Sequence, residues 1–306
     1  MNLKLRTLKE RLDLYEKLMR LDKPIGILLL LWPTLWGLWL SSFGAPNAAV
    51  TAVFVLGVVL MRSAGCVVND VADREFDRFV ERTKDRPLAA NLISRTEALV
   101  LAGVLALLAF LLVTRLNALA TKLSVVALAL AVVYPFLKRM FWLPQAWLGI
   151  AFGFGIPMVY AAQQNQIPTL AWVLVLANVF WAIAYDTEYA MVDRDDDAKL
   201  GLKSSALLFG RFDVLGVMIF HGLFLLTMAY AGYKLRFGVC YFSALVIALC
   251  LVIHQYQLIY DRRRDRCFKA FMQNNFIGAA IWLGIVAEFI LRIPLFADAN
   301  VLIPSR

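Results

Sequence analysis

The sequence predicts an all-α, polytopic integral membrane protein with nine transmembrane helices in one bundle. Three observations predict it. Of the 306 residues, 61% are hydrophobic and only 17% are charged, and mean hydropathy is +0.71, which sets the chain apart from soluble domains. Apolar runs of about 20 residues, the length that crosses a bilayer, recur with only short polar breaks and no linker or low-complexity tract. The basic residues gather in alternate breaks, as membrane orientation requires.

Taken in order, Leu5, Leu8, Leu12, Tyr15 and Met19 recur at helical spacing between lysines and glutamates. Residues 3–20 are therefore expected to form an amphipathic helix lying in the membrane interface; a solvated charged arm is the alternative. No short apolar core with a small-residue cleavage site precedes it, so no removable signal is expected in residues 1–23. Crossings are expected at 24–42, 48–68, 97–115, 118–136, 145–162, 169–188, 213–233, 237–256 and 272–292. Residues 24–292 then make one membrane domain, and 293–306 a short tail. With the N-terminus inside, the inner segments hold 24 of the 31 Lys and Arg residues, the outer segments hold six, and Arg62 lies within a span. That asymmetry places the N-terminus in the cytoplasm. It also accounts for the formal charge of +9 without nucleic acid as a partner.

The remaining punctuation is structural. Cys66, Cys240, Cys250 and Cys267 show no C-x-x-C or metal spacing and are expected to be reduced packing residues. His221 and His254 stand alone in apolar runs and are expected to be core histidines rather than ligands. Trp32, Trp36 and Trp39 recur at helical spacing as packing and interface residues. Gly149, Gly153 and Gly155 fall in one span, where small residues let helices approach closely; no phosphate-binding G-x-x-x-x-G-K pattern accompanies them.

Chemistry concentrates in two acid-rich stretches, NDVADREFD (Asn69 to Asp77) and YDTEYAMVDRDDD (Tyr185 to Asp197), each at the end of an apolar run. Carboxylates beside hydrocarbon are expensive and mark a functional site by default. Four crossings separate the stretches, and the even number returns both to the cytoplasmic side. At about 100° per helical residue, Asn69, Asp73 and Asp77 share a stripe, with Asp70 at its edge and Arg62 on the same face two turns deeper. Asp186, Asp193 and Asp197 share a second stripe, which Asp196 flanks and from which Asp195 points away. Short oxygen donors at i and i+4 suit a hard cation such as Mg²⁺, which takes one or two carboxylates, keeps several waters and binds substrate phosphates. Two facing stripes suit two ions around a diphosphate. The alternative is that the acids solvate helix ends and pair with Arg74, Arg78, Arg82 and Arg194.

Tyr134 and Lys138 stand one turn apart at the cytoplasmic end of a span, followed by Arg139. There they can contact a phosphate or serve as ordinary interface anchors. Arg62 lies inside the bilayer, where an unpaired guanidinium is costly. It is expected to meet either a first-stripe carboxylate or an anionic substrate.

The strings MRLDKPIG (19–26), LLLLWPTLW (28–36), GCVVNDVADREFD (65–77), RTKDRPL (82–88), YPFLKR (134–139), LPQAWLG (143–149), YDTEYAMVDRDDD (185–197) and GLKSSALLFG (201–210) together resemble the UbiA prenyltransferase superfamily. They cover most of residues 19–278. The N-D-x-x-D-x-x-x-D element is common to the superfamily; the second motif with its flanks resembles the members that act on hydroxybenzoate. The resemblance implies a nine-span bundle with a cytoplasm-facing cavity in a bacterial inner membrane. It implies Mg²⁺ held by Asn69, Asp73 and Asp77 on one side and by Asp193 and Asp197 on the other. It also implies diphosphate contacts from Tyr134, Lys138 and Arg139, and transfer of a polyprenyl group from a polyprenyl diphosphate to 4-hydroxybenzoate. On this reading Asp73, Asp77, Asp193, Asp197, Lys138 and Arg139 carry the catalysis, and Arg62, Asp70, Tyr134 and Asp186 bind substrate. Arg78 and Phe79 depart from the pattern, which leads one to expect a small residue and a histidine there.

Three rivals remain at this level. Another acceptor within the superfamily, such as a naphthoate or a haem, stands nearest. A divalent-cation or proton-coupled transporter would want its acids near the midplane. A phosphatidyl-alcohol transferase would carry a D-G-x-x-A-R element, which is absent.

Overall fold

The computed structural model describes residues 7–80, 82–137 and 140–291, whose regular secondary structure is helical, with no strand among them. The first helix, α1 (Leu8–Met19), opens on a capping box in which the Thr7 side chain and Glu10 satisfy each other's backbone N–H groups, the arrangement that S/T-x-x-E sequences favour. Its apolar side splits in two. Leu18 is buried against Val67, Leu88 and Ala98, with Leu14, Tyr15 and Met19 alongside, whereas Leu8 and Leu12 face outward. Leu5 lies outside the described residues. The helix ends at Arg20 in the left-handed conformation (φ 59°).

The crossings follow as α2 (Ile25–Ser41), α3 (Ala48–Asp77), α4 (Arg95–Val113), α5 (Ala118–Leu137), the pair α6 (Pro144–Gly153) and α7 (Gly155–Gln164), α8 (Thr169–Leu200), the short α9 (Ser205–Phe209) leading into α10 (Asp213–Lys234), α11 (Val239–Ile259) and α12 (Arg264–Leu291). Among the described residues eight segments are long and apolar enough to cross a membrane, and α2, at 17 residues, adds a shorter apolar ninth. This is the multi-pass bundle that the apolar runs predict. Its outer surface is hydrocarbon-like: Leu107 and Leu111 on α4, Val125 on α5, Leu226 on α10 and Leu283 on α12 are all exposed, as expected where lipid is the solvent.

Three crossings differ from expectation in a way that matters. The spans predicted at 48–68 and 169–188 are the apolar parts of helices of 30 and 32 residues. At about 1.5 Å per residue these are about 45 Å long, well beyond a hydrocarbon core of about 30 Å. Each long helix therefore carries its acid motif out of the membrane as a continuous helical tip. The crossing predicted at 145–162 is broken at Phe154. Pro157 follows in α7; its ring clashes with the carbonyl four residues earlier, at Gly153, where the break begins.

The bundle closes around aromatics. Trp181 of α8 stacks on Phe224 of α10 at 5.4 Å and lies 5.3 Å from Trp36 of α2. Gly149 lets α6 touch α8, since a Cβ there would sit 2.6 Å from the Val179 Cα; the fully buried Asn178 donates to the Gly149 carbonyl at 2.8 Å across the same contact. The four cysteines are free; Cys66 and Cys267 are buried and Cys240 half-buried, whereas Cys250 is exposed on α11, so the expectation of a packing position is corrected for that residue.

His254 is exposed on α11, so the expectation of a core position is corrected for that residue. His221 is fully buried, but its ring makes no hydrogen bond and instead faces Glu188 Oε1 at 3.7 Å. The other Glu188 oxygen accepts from Asn274 Nδ2 at 2.7 Å, and Asn274 Oδ1 accepts from Trp181 Nε1 at 3.0 Å. This buried node joins α8, α10 and α12 and fixes the rotation of α8. Asn274→Leu would strand a carboxyl group and an indole N–H, at a cost of about 1–3 kcal/mol for each unsatisfied group. The expected result is a clear drop in the thermal midpoint of the detergent-solubilised protein, which a thermal-shift assay would measure.

Candidate active site

The two acid-bearing tips converge. A cavity of about 1420 Å³ is lined by Arg62, Asn69, Asp70, Asp73 and Asp77 of α3, by Tyr134 of α5, and by Asp186, Asp193 and Asp197 of α8. These are all of the sequence-predicted site residues that the structure describes; Lys138 and Arg139 lie outside the described residues. Tyr134 lines the same cavity as both motifs.

α3 is built to present its stripe. Asn69 Nδ2 donates to Asp73 Oδ2 at 3.0 Å one turn on, as the i, i+4 spacing dictates. Asp70, 1% exposed, accepts from Arg20 at 2.8 Å and from Arg86 at 3.2 Å. Expected to bind substrate, Asp70 is in this structure the anchor that ties α1 and the α3–α4 connection to α3.

That connection brings in Arg82, weighed from sequence only as a pairing partner for the acids, and Arg86, which the sequence reading left without a role. Leu88 and Ile93 sink between α1, α3 and α4, and Thr83 Oγ1 donates to the Asp77 carbonyl at 2.9 Å. The loop is thereby pinned over the cavity mouth. From it, Arg86 donates to Asp77 at 2.8 Å, while Arg82 makes a two-pronged contact with Asp193 of α8 at 2.5 and 3.0 Å and lies over the Tyr189 ring at 4.7 Å. Burial pulls the Arg82 guanidinium down, but Tyr189, Asp193 and Asp77 outweigh it and hold its pKa above the ordinary value. Arg82 and Arg86 both line the cavity, so one loop delivers positive charge between two acid stripes.

Arg74 and Arg78 converge instead on the Asn91 side chain, at 2.5 and 2.9 Å, and Phe79 is exposed. The two departures from the family pattern thus lie on the outer side of the loop. Asp195 and Asp196 pair with Arg264 at 3.2 and 3.3 Å, and Arg194 with Asp213 at 2.7 Å. The solvating role weighed for the acids holds for Asp195, whose side chain is 71% exposed.

Deeper in, Arg62 makes no ion pair with a described residue. Its guanidinium lies over the Phe152 ring at 5.5 Å, and its Nε has no hydrogen-bond partner. Of the two options expected for it, a first-stripe carboxylate is not taken up. Deeper than the acid motifs the lining includes an apolar arm, with Phe54 and Val58 of α3, Phe110 of α4 and Leu128 of α5 on its wall.

Among the described residues no three acidic, histidine or cysteine side chains lie close enough to hold a metal unaided. A hard cation bound with a diphosphate asks for less, one or two carboxylates completed by phosphate oxygens and water. Each tip supplies such oxygens to the same cavity, so the residues present fit Mg²⁺ held jointly with its substrate.

The UbiA prenyltransferase family model matches residues 30–279. A 4-hydroxybenzoate octaprenyltransferase of Nitrosospira multiformis is 60% identical over 286 residues, covering 94% of this chain and 99% of that protein. The solved apo structure of a UbiA homolog from Aeropyrum pernix K1 superposes with a TM-score of 0.76 at 25% identity, covering 85% of this chain and 97% of that one. A UbiA homolog from Archaeoglobus fulgidus bound to GPP and Mg²⁺ shares the fold, with a TM-score of 0.70 at 16% identity over 90% of this chain and 99% of that one. With a family match across most of its length and a relative of this similarity, the chain belongs to the UbiA prenyltransferase family.

Proposed function

We propose that this protein transfers a polyprenyl group from a polyprenyl diphosphate to the ring carbon ortho to the hydroxyl of 4-hydroxybenzoate, at the cytoplasmic face of a bacterial inner membrane, as an early membrane step of ubiquinone biosynthesis. The observation that carries it is a single cavity with three kinds of wall: paired oxygen stripes with arginines at one end, an apolar arm, and a buried arginine without a carboxylate partner. Each wall matches one part of the reactants, namely diphosphate, isoprenoid chain and aromatic carboxylate. The name of the 60% identical relative points to the same pair of substrates.

Asn69, Asp73 and Asp77 on α3, with Asp193 and Asp197 on α8, would hold Mg²⁺. Bound there, it would neutralise the diphosphate and stabilise the charge that develops on the leaving group. Arg82 and Arg86 would turn from the acids toward the diphosphate, with Tyr134, Lys138 and Arg139 completing its contacts. The apolar arm would take the isoprenoid chain and keep water from the allylic carbon as its C–O bond ionises. Arg62 would hold the acceptor carboxylate so that the ortho carbon faces that allylic carbon; a new C–C bond then forms and the ring loses its proton.

The test is an assay of membranes containing the protein with Mg²⁺, labelled 4-hydroxybenzoate and polyprenyl diphosphates of several lengths. A prenylated hydroxybenzoate product is expected, and EDTA should abolish its formation until Mg²⁺ is restored. Product formation undiminished by the chelator would sink the metal assignment. No product with any donor length would sink the substrate assignment.

A further inference from the structure

Gln145 stands at the cytoplasmic start of α6, 4% exposed and lining the cavity. Its Oε1 is enclosed with no hydrogen-bond partner, and its amide nitrogen donates to no described residue. A buried amide without a partner is costly unless something completes it. Two helical turns along the same face of α6 lies Phe152, the ring over which the Arg62 guanidinium is held at 5.5 Å. Between them Leu148 and Ala151 continue the cavity wall. One wall thus carries a cation at its deep end, apolar and aromatic surface along its middle, and a neutral hydrogen-bonding group at its shallow end.

We infer that Gln145 binds the hydroxyl of the aromatic acceptor. The inference rests on the reaction proposed above and adds the residue that reads the far end of the acceptor ring. A para-hydroxy aromatic acid presents the complementary order: an anion, a flat apolar ring, then a neutral hydroxyl. An amide carries both an acceptor oxygen and donor hydrogens, so it can take the phenolic proton in a hydrogen bond. That bond leaves more electron density on the phenol oxygen and hence on the ortho carbon that attacks. The geometry also sets direction. Depth increases along α6 from Gln145 to Phe152 and decreases along α3 from Arg62 to Asn69, so the hydroxyl end of the ring lies on the side of the oxygen stripes. A ring with its carboxylate at Arg62 and its hydroxyl at Gln145 therefore turns its ortho position toward the donor.

The test compares two ligands on the full-length protein in detergent: 4-hydroxybenzoate as substrate, and benzoate, which lacks the hydroxyl, as a competitive inhibitor. Gln145→Met keeps the shape of the side chain without its amide, and Gln145→Leu is a second variant in case the first misfolds. The expected result is a rise of about 10-fold in KM for 4-hydroxybenzoate, with the benzoate inhibition constant and the KM for polyprenyl diphosphate unchanged. Equal weakening of both aromatic ligands would reduce Gln145 to a shaping residue and overturn the inference, as would no change in either. A wild-type protein that neither binds nor prenylates 4-hydroxybenzoate would overturn the reaction reading itself, a failure visible before any variant is made.

Discussion

Asp73→Ala and Asp193→Ala are each expected to abolish prenyl transfer while the protein still inserts into membranes and purifies as the wild type does. The two substitutions act at opposite tips of the same cavity, one on α3 and one on α8. Removing a hard oxygen from either side weakens the hold on a cation that offsets charge at the leaving oxygen, a contribution of several kcal/mol. The loss in kcat/KM is therefore expected to be on the order of a thousand-fold or more. Asp193→Ala has a second consequence, because the same carboxylate accepts both bonds from Arg82. Freed of its partner, Arg82 keeps its charge at the cavity mouth, so binding of the diphosphate should persist while turnover fails. Radiolabelled donor binding alongside product formation separates the two effects. Retained turnover in either variant would remove the acids from the mechanism.

Arg62→Gln is expected to raise the KM for 4-hydroxybenzoate by roughly 30- to 150-fold, the equivalent of losing a charged hydrogen bond of about 2–3 kcal/mol in a buried site. The KM for polyprenyl diphosphate should move little. The argument is one of satisfaction. A guanidinium inside a membrane bundle is expensive, and this one rests on the face of Phe152 with its Nε unpartnered. On the proposed reaction something anionic completes it during the catalytic cycle, and the end of the cavity proposed for the diphosphate already has Arg82 and Arg86. Arg62→Lys should recover part of the effect, since an ammonium restores the charge but not the two-pronged geometry. Normal Michaelis constants for both substrates in both variants would show that Arg62 is a packing residue.

The ways in which sequence and structure differ have physical causes. The acid stripes were legible because i, i+4 spacing is a property of one helix and does not depend on what surrounds it. Placing both stripes on one side needed only the parity of the crossings between them, and parity survives errors of several residues at every boundary. The stripes take each helix on through its acids; what lay beyond reach was the set of tertiary contacts that holds it there. The acid-rich stretches 69–77 and 189–200 are too polar to read as crossings, yet α3 and α8 continue through them; the α3 tip is held by Asp70 with Arg20 and Arg86, and that of α8 by the burial of Met191 and Val192 and by Arg82 on Asp193. The break at Phe154 was readable in principle from Pro157, four residues past Gly153, but the apolar run masked it.

By itself the sequence determined the membrane class, the succession of crossings and the two oxygen-bearing faces, all of which follow from local composition and periodicity. Tertiary structure alone decided which cation meets which acid. It alone brought Phe152 against Arg62, put Gln145 on the same cavity wall, and joined Glu188 to His221 and Asn274 in the core. Those pairings span from nine to more than a hundred residues of sequence; they depend on helix rotation, on the Gly149 contact that seats α6 against α8, and on the folding back of a loop with no periodicity to read. The reagents of the chemistry are written along the chain, but their distances are set only when the bundle closes.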